Sequence, residues 1–172
     1  MDYNNFNNDK VPNYNPQYAA PAAPALPMNW HKFVIYFVLF ANAVLNVINA
    51  IQYFTGSIYG GEYEKRMVYT VFSGLQTIDV LMGIMCLAVA VYALLTRFAL
   101  AGYQAKAPKM MSSMYLINAG IAILYLLLAS ASTGIGLGDL MNASLATSLV
   151  VSVIMFFANK TYYAKRAALF TK

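Results

Sequence analysis

The side chains able to do chemistry are few and sit inside apolar sequence. Asn42, Asn46 and Asn49 interrupt the run FANAVLNVINAIQ, and Asp79 interrupts LQTIDVLMGIM. On a helix the asparagines fall at i, i+4 and i+7, a single stripe. A carboxamide both donates and accepts, which is what holding a neutral solute or a stripped cation would require. A carboxylate within hydrocarbon is a candidate proton relay or cation ligand.

Each feature also has a purely structural reading. An amide facing lipid costs several kcal/mol, so the stripe should face protein and hydrogen-bond to a neighbouring helix. A second row, Ser144, Ser148 and Ser152 at i, i+4 and i+8, lets two backbones approach closely. Taking Gln52 and Met141 as outer boundaries, Asn49, Asn46 and Asn42 lie roughly 4, 9 and 15 Å deep, and the serines roughly 4, 10 and 16 Å. These matched levels predict a seam between the first and last spans, with amides bonding hydroxyls or carbonyls. Asp79, near the outer end and within reach of Lys65 and Arg66, reads as an interfacial or capping carboxylate.

Little else points to catalysis. His31, between Trp30 and Lys32, reads as an interfacial anchor, and Cys86 as a small buried hydrophobe. One histidine and one cysteine, apart from any carboxylate cluster, make no zinc or haem ligand set. No GxSxG or P-loop is present, and GIGLGD, without a preceding strand, reads as a turn. The chain is therefore expected not to be an enzyme and to need no cofactor. NPQY at Asn15–Tyr18 is a short pattern that this composition produces by chance, and the sequon NAS at Asn142 is set aside because it falls at the membrane boundary.

The elements that position these residues follow from hydropathy. Of 172 residues, 60% are hydrophobic and 10% charged, with a mean hydropathy of +0.56. The apolar residues come in blocks of roughly 20, the length that crosses about 30 Å of hydrocarbon. Four blocks, at about 33–53, 75–96, 111–132 and 141–163, predict an all-α integral membrane protein, a bundle of four transmembrane helices. Before them, residues 1–29 form an Asn/Tyr/Pro/Ala-rich tail with too little aliphatic surface to order, and with no signal-peptide pattern.

The charge of +5 could suggest nucleic acid, but Lys and Arg flank the apolar blocks instead of clustering with aromatics. They read as topology signals. Lys10 and Lys32, then Arg97, Lys106 and Lys109, then Lys160, Lys165, Arg166 and Lys172 outweigh Lys65 and Arg66 in the remaining loops. The positive-inside rule therefore predicts cytoplasmic termini, in a plasma membrane. The stretch Glu64–Ser73 is expected to be an interfacial amphipathic turn, or a projection of the second span. LFANAVLNVI and YLINAGIAIL resemble each other, a faint sign of duplicated hairpins.

Two functional expectations result. The first is a scaffold, assembly factor or accessory subunit acting through helix and tail contacts within the bilayer, as a homo-oligomer or in a larger membrane complex. The second is a small transporter or channel subunit that uses the Asn stripe and Asp79.

Overall fold

The computed structural model describes residues 26–172, and every regular element among them is helical. Most of the tail, including NPQY, lies outside the described residues. Four helices are long and apolar enough to cross a membrane. Helix α1 runs Asn29–Thr55, α2 Glu62–Val71, α3 Leu75–Ala101, α4 Ala107–Thr133 and α5 Ala143–Ala164. The outward surface is apolar in the manner of lipid-facing helices, with Phe37, Phe40, Val91, Phe98, Ile154 and Phe157 exposed.

The helices extend beyond the apolar blocks. The expected loop 97–110 shrinks to residues 102–106 between α3 and α4. Hydropathy falls at Arg97, but the backbone ladder does not, because Arg97 finds a partner: its Nε donates to the Ile35 carbonyl at 3.1 Å. Ile35 lies in a π-helical turn, Val34–Val38. Such a wide turn disturbs the regular ladder of α1, and the Arg97 guanidinium occupies a carbonyl there.

The segment after α1 is a separate helix, not a projection of the second span. Gly56 ends α1 with φ of 69°, a left-handed cap that glycine adopts without Cβ strain. A Cβ there would lie 2.7 Å from the Tyr69 hydroxyl oxygen, so α2 folds back closely on the end of α1. The amphipathic helix covers Glu62–Val71, slightly earlier than expected, and its Glu62 accepts from Arg66 at 3.3 Å and pairs with Lys65 at 2.6 Å. These partners hold the exposed Glu62 carboxyl below its usual range. At the start of α5, Asn142 is a cap: its Oδ1 accepts from the Leu145 N–H at 2.8 Å.

Packing is largely sequential, α1 on α3, α3 on α4 and α4 on α5. Beyond the π-helical turn, the buried positions of α1 are Leu39, Ala43, Asn46 and Ala50, a spacing of i, i+4, i+7 and i+11 that forms one stripe. The small Ala43 and Ala50, together with Gly83, under the Phe54 ring, and Ala90 and Ala93 of α3, allow close approach. Helices α1 and α5 share no extended packing face and are clasped at one end. There Trp30 Nε1 donates to Asn159 Oδ1 at 3.2 Å, and Arg166 Nη2 donates to the Pro27 carbonyl at 2.9 Å. We call this the proximal end, and the end carrying α2 and residues 134–142 the distal end.

Replacing Arg97 by Leu is expected to lower stability by about 1–3 kcal/mol, since it removes a charged donor and leaves the Ile35 carbonyl unpartnered. Thermal unfolding in detergent measures this. Arg97→Lys, which keeps a donor, should lose much less, and equal losses would show that the hydrogen bond is not the cause.

Candidate functional site: a polar cavity between the helices

The asparagine stripe and the serine row turn towards the same space. A cavity of about 820 Å³ is lined by Asn42, Asn46 and Asn49 of α1, Tyr115, Asn118 and Tyr125 of α4, and Thr147, Ser148 and Ser152 of α5, with Met82 and Cys86 of α3. A second cavity, of about 540 Å³, continues distally to Tyr59, Phe72, Thr133 and Asn142. The two share Asn49, Tyr53, Tyr125, Leu145 and Ser148, so together they form one channel-like recess.

The two rows do not touch as a hydrogen-bonded seam. Asn46 Nδ2 donates within its own helix, to the Asn42 carbonyl at 2.9 Å and to Asn42 Oδ1 at 3.2 Å. Ser148 is exposed and Ser152 half-buried; the Ser144 side chain lies outside the described residues. Among the described residues no hydrogen bond joins an asparagine of α1 to a serine of α5. The physical reason is that α5 packs on α4 instead of on α1, so the two rows line one cavity together with Tyr115, Asn118 and Tyr125 and do not meet. Asn46 meanwhile sits at the edge of the α1–α3 seam, where the preceding helical turn satisfies its amide.

Asp79 lies behind the wall of this recess. It is 0% exposed, and its Oδ2 accepts from Tyr59 and Tyr69, each at 2.9 Å. Tyr59 and Tyr125 hydroxyls lie 3.2 Å apart, and both residues line the distal cavity. Asp79 Oδ1 has no partner. The expected cations are not its neighbours: Lys65 and Arg66 pair with Glu62. Phenol dipoles from the Ser57–Tyr59 turn and from α2 surround the carboxylate in place of a positive charge. Burial first, and hydrogen bonding second, push the Tyr59 and Tyr69 hydroxyls above the ordinary phenol range, so they remain protonated donors.

The proximal end holds an aromatic cluster. His31 is only 2% exposed, so it is a packed residue, not an interfacial anchor. Its ring lies 5.2 Å from Tyr103, 5.9 Å from Tyr163 and 5.7 Å from Phe170, and its Nδ1 is 3.2 Å from the Tyr163 hydroxyl. The C-terminal residues cause this burial. Phe170 folds back into the cluster, and the Ala105 N–H donates to the Lys172 carbonyl at 2.8 Å. The buried Tyr115, which lines the recess, has a hydroxyl without a partner.

Such a lining offers neutral donors and acceptors. Among the described residues no group of His, Cys, Asp or Glu side chains is assembled that could hold a metal ion. Sequence reasoning found the asparagines and serines through their period, but it missed Tyr59, Tyr69, Tyr125, Tyr115, Asn118 and Asn159. Asn118 and Tyr125, at i and i+7 on α4, carried a periodic signal that could have placed them on one face. Searches against protein families, curated proteins and solved structures return no match for this chain.

Water access to the recess and the hold on α2 are separately measurable. In a Cys86→Ala background, Asn49→Cys and Ser148→Cys should react with a membrane-impermeant thiol reagent roughly tenfold faster than the outward-facing Val150→Cys, because a thiolate forms only where water reaches it. Similar slow rates at all positions would mean that the recess is dry. Separately, Tyr59→Phe with Tyr69→Phe should loosen α2, each lost bond to the buried carboxylate costing about 1–3 kcal/mol. Limited proteolysis within residues 57–74 should then accelerate relative to wild type, while an unchanged rate would show that Asp79 does not hold this segment.

Proposed function

We propose that this chain is a non-enzymatic membrane subunit that takes a small, uncharged polar solute into the recess between its helices, as part of a small transporter or channel. The observation that carries this reading is that carboxamides and hydroxyls from α1, α4 and α5 line one cavity without bonding across it. Interhelical glue would bury those groups against each other. A neutral solute fits better than a cation, because no Asp or Glu among the described residues lines the cavity and the Asp79 carboxyl stands behind Tyr59 and Tyr125. The flank between α1 and α5 lacks a packed helix, so a path sealed from lipid requires a neighbouring protein. A homo-oligomer or a larger complex supplies that neighbour.

The contact-mediated scaffold role keeps one support, the basic proximal end, which by the positive-inside rule would face the cytoplasm. A flux assay separates the readings. Proteoliposomes challenged with glycerol or urea gradients in stopped-flow light scattering should equilibrate severalfold faster than empty liposomes. Asn46→Leu combined with Ser148→Leu should return the rate to background. If correctly inserted protein passes none of these solutes, while affinity purification from native membrane recovers a stoichiometric partner, the scaffold role takes precedence.

A further inference from the structure

A second recess lies between α4 and α5 at the proximal end, with a volume of about 540 Å³, and shares no lining residue with the central cavity. Lys109 and Lys160 flank it, while Leu116 and Phe156 line its deeper part. Counted from the helix ends, Lys109 lies roughly 3 Å and Lys160 roughly 6 Å inward, whereas Phe156 and Leu116 lie roughly 12 and 14 Å inward. Two cations thus sit at nearly one level above an apolar slot.

The hydroxyls in the groove are already committed. Ser112 donates to the Pro108 carbonyl at 3.1 Å, and Ser113 donates to the Met110 carbonyl at 3.0 Å and meets the Tyr92 hydroxyl at 2.8 Å. The lysines are not committed. The described acidic side chains, Glu62, Glu64, Asp79 and Asp139, all belong to the distal half, and neither lysine is in an ion pair among the described residues. Lys160 Nζ lies 5.6 Å from the centre of the Phe156 ring, which holds its ammonium beside the groove.

We propose that this groove seats an anionic phospholipid, with its phosphate between Lys109 and Lys160 and one acyl chain along Leu116 and Phe156. The gradient from paired cations to apolar wall matches the gradient from phosphate to hydrocarbon in the lipid. A zwitterionic phosphatidylcholine brings its own cation to the same place and is disfavoured.

Native mass spectrometry of the full chain in detergent tests this with phosphatidylglycerol and phosphatidylcholine of identical acyl chains. Phosphatidylglycerol should bind in preference, and Lys109→Gln and Lys160→Gln should each weaken it roughly fivefold while leaving phosphatidylcholine unchanged. Lys165→Gln, in a different recess of the same end, should change neither. Both groove lysines are exposed, so the variants should fold, as equal melting temperatures would show. Equal binding of the two lipids by the wild type would overturn the proposal. A loss at Lys165→Gln as large as at Lys109→Gln would also overturn it, reducing the effect to diffuse charge.

Discussion

In hydrocarbon a polar group has no water to fall back on, and every interior device of this molecule answers that constraint. The π-helical turn of α1 depends on it most visibly. Such a turn accommodates an extra residue, which rotates the remainder of the helix by roughly 100° relative to an unbroken one. It is tolerable because Arg97 reaches across from α3 to the Ile35 carbonyl. The orientation of the Asn stripe relative to the clasped Trp30 and His31 therefore depends on a guanidinium 62 residues from the carbonyl it occupies.

The same constraint sorts the other polar groups into two kinds. Some are closed locally: Asn46 on Asn42, Ser112 on Pro108, and Asn159 on the Met155 carbonyl. Others gather where local closure fails, around Asp79 and along the central recess. Asp79 is a carboxylate among phenols, with one oxygen unpartnered. It stands one hydrogen bond behind the cavity wall.

The four spans were legible because hydropathy is a local property of 20-residue blocks. Their ends were not, because they rest on tertiary partners that no window contains: Arg97 on Ile35, and Phe170 folded against His31. The Asn and Ser rows were visible from period alone, and members of both line one space. Period could not reveal that α5 would pack on α4 and not on α1. The tyrosines around Asp79 escaped notice because a tyrosine near a membrane boundary reads as an interfacial aromatic. Only the left-handed cap at Gly56, which turns the chain back, brings Tyr59 and Tyr69 to the carboxylate.

The proximal clasp has a consequence for the order in which the molecule is built. Neighbouring helices can pair as soon as each is made, since the packing follows the chain from α1 to α3 to α4 to α5. The clasp cannot, because it joins Trp30 to Asn159 and Pro27 to Arg166, groups 129 and 139 residues apart. Until Asn159 and Arg166 are made the proximal end stays unclasped, and without Phe170 the aromatic packing around His31 is incomplete. Long-range closure of this kind comes after the local helix pairs have formed.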